Sequence, residues 1–236
     1  GAKPIFVDIN EENWCIDINK VEKKITKKTK AIISVNLFGN MQNINKLRSI
    51  CKKKGIYLLE DAAEALGSEY KGTKAGKFGD VSFHSFHRTK TITSGEGGAL
   101  LTDNKKIYED AKHLRDLGRN SKNSYIADTA SLKFMPSNLQ ASMVYAQFKR
   151  ISKLLKIKRN IFNSYKKYLK TKLDLSFNYE NKNSKNGLWA TTIVFNKKYN
   201  IDIDKLIQFL AKKKIFARKF FMPLTSQKGY KKFTSK

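Results

Sequence analysis

The sequence predicts an α/β fold: a mostly parallel sheet with flanking helices, followed by a smaller α+β lobe. Three observations carry this expectation. Two short apolar runs, "AIISV" (31–35) and "IYLLE" (56–60), enclose a segment of helical periodicity, "NINKLRSICKKKG" (43–55). Strand, helix and strand within about thirty residues make a βαβ unit with a right-handed crossover, which lays its strands parallel. From Ser137 the pattern turns helical for a long stretch, then returns to mixed strand and helix signals.

Each element has its own signal. The run 31–35 is continuous rather than alternating, as expected of a strand buried on both faces. In the helix over 43–55, Ile44, Leu47, Ile50 and Cys51 share a face, and lysines followed by Gly55 supply the stop. The run 56–60 is a second buried strand. "DVSFHSF" (80–86) and "GALLTD" (98–103) read as two further short strands around a turn that holds Lys90. "NKKIYEDAKHLRDLG" (104–118) is a helix closed by Gly118. After the long helical stretch, "LWATTIVF" (188–195) reads as a strand and "DIDKLIQFLAKKKI" (202–215) as a capped amphipathic helix. The implied organisation is a large domain over 1–136, a linking long helix over 137–170 and a small domain over 171–236.

At 236 residues and 40% hydrophobic, the chain can bury one substantial core, or one core plus a small lobe. No apolar run approaches a bilayer span, so no membrane partner is expected. "GAKPIFVDIN" lacks the basic and apolar regions of a secretion signal. It does not open with Met and reads as if entered in the middle of a longer sequence. Cys15 and Cys51 are too few for a disulfide framework and lack metal-ligand spacing. A reducing cytoplasm and no metal are the expectations. The net charge of +28 raises the question of a nucleic-acid partner. The lysines are scattered over the polar sides of amphipathic segments, with no nucleic-acid-binding motif beside them. They read as solvated faces, whose field would also draw in an anionic small substrate.

Candidate chemistry lies at the strand ends, because ligands of open α/β sheets sit outside the carboxyl ends of the strands. In "YLLEDAAEALGS" (57–68), Asp61 follows a buried run and stands at a strand tip, where its carboxylate can face a crevice. It could equally be the N-cap of a helix over "AAEAL". In "FHSFHRTKTITSGEGGAL" (83–100), Ser85 precedes Lys90 by five residues, and "SGEGG" supplies unhindered amides and close backbone approach. Lys90 alone could be a solvated loop lysine. His84 and His87 alternate with Phe83 and Phe86 and read as packing residues. Together these groups suit one chemistry. An amine that condenses with a carbonyl sits near a carboxylate able to keep a ring nitrogen protonated, and a hydroxyl and loop amides suit a phosphate. That is a site for pyridoxal 5′-phosphate.

On these residues the chain resembles the sugar aminotransferases of the DegT/DnrJ/EryC1/StrS type. The matching stretches are "GAKPIFVDI", "KTKAIISVNLFGN", the long run from "LLEDAAEALGS" to "GGALLTD", "LRDLGR", "SNLQAS", "YAQFKRI" and "FARKFFMPL". The resemblance is strongest to the perosamine-synthase type. It implies the aspartate-aminotransferase-like fold, type I of the pyridoxal phosphate enzymes. It implies amino transfer, with glutamate as the expected donor, to C4 of a nucleotide-linked 4-keto-6-deoxy sugar. Lys90 would carry the cofactor and then move the proton between substrate carbon and cofactor. Asp61 would pair with the ring nitrogen, Ala63 would pack on the ring face, and Glu64 would lie near the ring hydroxyl, where many members have Gln. Ser85 would bind the phosphate. Lys133 would reach the phosphate of a partner subunit, which implies a homodimer with shared active sites.

The resemblance also implies that both domains are partial, since family members begin before "GAKP" and continue past "KGYKKFTSK". The upstream part carries a phosphate-binding turn at a helix N-terminus. Arg88 beside the lysine, Met135-Pro136 and Thr225 depart from the family's pattern. A truncated or degenerate member with a scaffold or dimerisation role and no turnover is the alternative reading.

Overall fold

The computed structural model describes residues 1–120, 122–123 and 125–233. The chain opens with a short helix, α1 (Ile18–Lys24), followed by strand β1 (Ala31–Val35), helix α2 (Ile44–Lys54) and strand β2 (Tyr57–Asp61). Two two-residue strands follow, β3 (Glu69–Tyr70) and β4 (Thr73–Lys74), then β5 (Val81–Ser85) and β6 (Gly98–Leu101). Helices α3 (Lys105–Leu114), α4 (Asn138–Phe148) and α5 (Ile151–Lys170) come next. Strands β7 (Leu175–Phe177), β8 (Ser184–Lys185) and β9 (Ile193–Phe195) and helix α6 (Ile203–Lys212) complete the regular structure, with short 3₁₀ turns.

The main sheet has the order β1-β2-β5-β6. β1 pairs with β2, and β2 with β5, in parallel; β6 returns antiparallel on the edge. The carboxyl ends of three strands therefore meet at one edge, and Asn36, Asp61 and Ser85 stand there. The predicted βαβ unit is present. Asn43 caps α2 by accepting from the Lys46 amide, and Gly55 ends it in the left-handed region at φ 64°. Ile44 and Leu47 are fully buried against Ile32 and Leu58 in the principal core.

Four expectations change. The strand 31–35 is covered on one face only. Ile32 and Ser34 are buried, whereas Ile33 is 58% exposed, as is Tyr57 of the next strand. The reason is that α1 and α2 pack on the Ile32 side, which concentrates the core there. The helix over 104–118 ends at Leu114, and Gly118 serves a turn instead, where a Cβ would run into the Thr129 carbonyl. The helical stretch from Ser137 is two helices, broken at Lys149–Arg150, where Arg150 leaves helical geometry (φ −113°, ψ 19°). A capping box between Ser137 and Gln140 opens the first.

The strand over 188–195 shortens to 193–195, paired antiparallel with β7. Residues 186–192 bond to side chains rather than to a neighbouring strand. The Gly187 amide donates to Ser68 Oγ, the Leu188 amide to Asn186 Oδ1 and the Thr192 amide to Asn178 Oδ1. Among the described residues no helix is long and apolar enough to cross a membrane.

Candidate active site

Asp61 is the last residue of β2. Its Oδ1 accepts from the Ala63 amide at 3.0 Å, and no helix follows, because residues 62–68 are turns. The helix-capping alternative therefore has no helix to cap. Burial pushes the Asp61 carboxyl above its usual range, against the pull of the Ala63 amide, Lys90 and His84. His84 lies beneath this turn with Nδ1 3.0 Å from the Ala62 carbonyl, and burial holds its pKa below the ordinary histidine value. It packs as the sequence suggested.

Lys90 sits on the loop between β5 and β6. The loop closes on itself: the Phe86 amide donates to the Gly97 carbonyl, and the Ser94 amide and Thr93 hydroxyl both donate to the Phe86 carbonyl. Gly98 is needed for this closure, since a Cβ there would stand 2.7 Å from the His84 carbonyl oxygen. From α4, Gln147 brackets the loop. Its Oε1 accepts from the Thr93 amide and its Nε2 donates to the Thr93 carbonyl.

The Lys90 amine is 3.3 Å from Glu64 Oε1 and 4.2 Å from the centroid of the Trp189 ring. Glu64 Oε2 accepts from the Phe38 amide, so this carboxylate joins the lysine to the turn after β1. Trp14, Phe38 and Trp189 form a buried aromatic cluster beside the amine. Phe220 and Phe221 close over Phe38, and the Arg218 guanidinium lies 5.4 Å from the Trp189 ring. Ser85, half-buried at the end of β5, accepts from the His87 amide at 3.2 Å.

Asp61, Ala63, Glu64, Ser85 and Lys90 thus share the carboxyl edge of the sheet. Lys133 does not join them. It lies on an exposed arm, paired with Asp116 at 2.7 Å. Sequence reasoning passed over Trp189, Phe38 and Gln147. Trp189 was hidden inside a run read as strand, and its tryptophan in an otherwise small-residue stretch, "NGLWATT", was the available signal.

This edge, with an amine and a carboxylate over parallel strands, has the architecture of the pyridoxal-phosphate-type aminotransferases. The model of the DegT/DnrJ/EryC1/StrS aminotransferase family matches residues 1–236, and the chain belongs to that family. It is 35% identical over 236 residues to a GDP-perosamine synthase of Vibrio cholerae, covering all of this chain and 64% of that protein. It is 34% identical to a GDP-perosamine synthase of Escherichia coli O157:H7, over 98% of this chain and 62% of the other. Among solved structures, PseC of Helicobacter pylori, an aminotransferase involved in pseudoaminic acid biosynthesis, superposes with a TM-score of 0.90. That match has 27% identity over 97% of this chain and 62% of the other. The chain therefore spans a little under two thirds of the length of these relatives.

Proposed function

We propose that the protein is a pyridoxal-phosphate-dependent aminotransferase acting on a nucleotide-linked 4-keto-6-deoxy sugar, with glutamate as amino donor. The observation that carries this reading is the placement of Lys90 and Asp61 at the same carboxyl edge of the sheet, with Lys90 paired to Glu64 and Asp61 left unpaired among the described residues. The Asp61 carboxylate is half-buried, has one hydrogen-bond donor and no ion-pair partner among the described residues, and lies within the field of Lys90. A carboxylate with an oxygen to spare beside a primary amine fits a protonated ring nitrogen and an aldehyde. The choice of sugar rests on the similarity to the two perosamine synthases.

When bound, pyridoxal phosphate supplies an electron sink that makes the proton on the amine-bearing carbon labile. Asp61 would hold the ring nitrogen protonated. Ala63 would offer a small flat contact for the ring face, and Glu64 a carboxylate near its hydroxyl. Ser85 would bind the phosphate. The Lys90 amine would hold the cofactor and then carry the proton from carbon to carbon, while the aromatic cluster excludes water. Lys133 would serve a partner's site across a homodimer, and its exposed arm supports that role. We place the protein in the cytoplasm.

Borohydride reduction after addition of pyridoxal phosphate, followed by peptide mapping, tests the core of this reading. One modified lysine, Lys90, is expected; a different lysine would sink it. In Asp61→Asn the turn-forming oxygen remains and the charge is lost. Amino transfer is expected to fall about a hundredfold or more with the fold intact. Near-normal transfer would reduce Asp61 to a structural group.

A further inference from the structure

We infer that Trp189 is a positioning residue for Lys90, gripping both the amine and the backbone that bears it. The inference rests on Lys90 being the reactive amine proposed above. The ammonium lies 4.2 Å from the indole centroid. The indole N–H donates at 2.8 Å to the carbonyl of Thr89, the residue before Lys90, across a hundred positions of sequence. One side chain thus fixes the tip of the lysine and its root. A ring face attracts an ammonium group most strongly where water is excluded. Trp189 is 7% exposed and the Lys90 side chain 13%.

Trp189 is itself held from several sides. Phe38 stacks on it with centroids 5.7 Å apart, and Lys158 on α5 donates to its carbonyl at 2.9 Å. The preceding residue, Leu188, adopts φ 57°, a left-handed conformation that is unfavourable for a branched side chain. The Leu188 amide bond to Asn186 Oδ1, at 2.6 Å, holds it there. Backbone kept in an unfavourable region by its surroundings marks a place where the side chain's direction matters. Here the strained turn delivers the indole to the lysine. Glu64 accepts from the same amine at 3.3 Å, but its other oxygen is taken by the Phe38 amide, outside the lysine loop. The planar ring adds direction to that attraction.

Competitive labelling of the full chain with trace acetic anhydride, read by peptide mass spectrometry, measures Lys90 reactivity without any cofactor. Trp189→Leu is expected to raise Lys90 labelling about tenfold, as loss of one desolvated cation–π contact and its shielding would. Labelling of the exposed and remote Lys27 should not change. Trp189→Phe keeps a ring face and is expected to keep Lys90 slow. After uptake of pyridoxal phosphate, the cofactor's circular dichroism band should weaken in the Leu variant and persist in the Phe variant. If Trp189→Leu does not fold, Trp189→Met fills more of the volume without a π face and carries the same comparison. Unchanged Lys90 labelling in the folded variant overturns the inference. A wild-type chain that takes up no cofactor, yet whose Lys90 labelling responds to Trp189, would leave the positioning intact and reject the proposed chemistry.

Discussion

Glu60 and Asp61 are adjacent carboxylates with opposite surroundings. Successive strand residues face opposite sides, so one enters the core and the other the open edge. Glu60 is fully buried and accepts from Asn36 Nδ2, the Gly76 and Phe78 amides, and Ser82 Oγ. A buried charge is tolerated when its oxygens are saturated by donors. Glu60→Ala strands those donors and is expected to cost about 3 kcal/mol, read as a lower urea midpoint. An unchanged midpoint would show that the donors find other partners. The sequence displayed both acids after an apolar run, but a run read as buried did not tell which of them faces the core. Which of them met the donors depended on Gly76, Phe78 and Ser82, whose approach is set by tertiary structure.

At the scale of elements, the lysine loop is held by side chains as much as by its flanking strands. Gln147 makes two bonds to Thr93 across 54 residues of sequence and a third to the Met143 carbonyl of its own helix. Gln147→Ala should therefore loosen the loop without unfolding α4. Faster amide exchange over residues 90–95 and a loss of about 1–2 kcal/mol are expected. Exchange that stays slow would show that the loop's own turns suffice. The βαβ unit was legible because its helix stop, its periodicity and its apolar runs all agree. The segment 186–192 was not, because its residues have strand composition while the amides of Gly187, Leu188 and Thr192 bond to serine and asparagine side chains. Composition reports what a residue tolerates and is silent on where its amide is satisfied.

For the molecule as a whole, the chain carries 48 Lys and Arg against 20 Asp and Glu. Its one-sided sheet matters more for behaviour in solution. Ile33, Val35, Tyr57 and Leu100 are exposed together with other large apolar side chains. An apolar face of this kind invites association. Ile33→Lys combined with Tyr57→Lys is expected to lower concentration-dependent self-association of the 236-residue chain, measured by sedimentation. Stability should change by less than about 0.5 kcal/mol per substitution, since both residues are already more than half exposed. Unaltered association would place the sticky surface elsewhere, with α4 as the next place to look. The continuous run 31–35 looked two-sided because β-branched residues mark a strand without saying what covers it.

The asparagines that carry the Trp189 segment also set when the site can come into being. Asn40 Oδ1 accepts from the Tyr179 amide and Asn186 Nδ2, and Asn178 Nδ2 donates to the Phe38 carbonyl. These bonds join positions 139, 146 and 140 residues apart. Closing loops of that size comes at an entropy cost that nothing local offsets beforehand. During synthesis, Lys90 and Asp61 leave the ribosome long before the tryptophan that completes their surroundings. The enclosed setting of Lys90 is therefore a late event, and an exposed lysine amine is the signature of a chain still on its way.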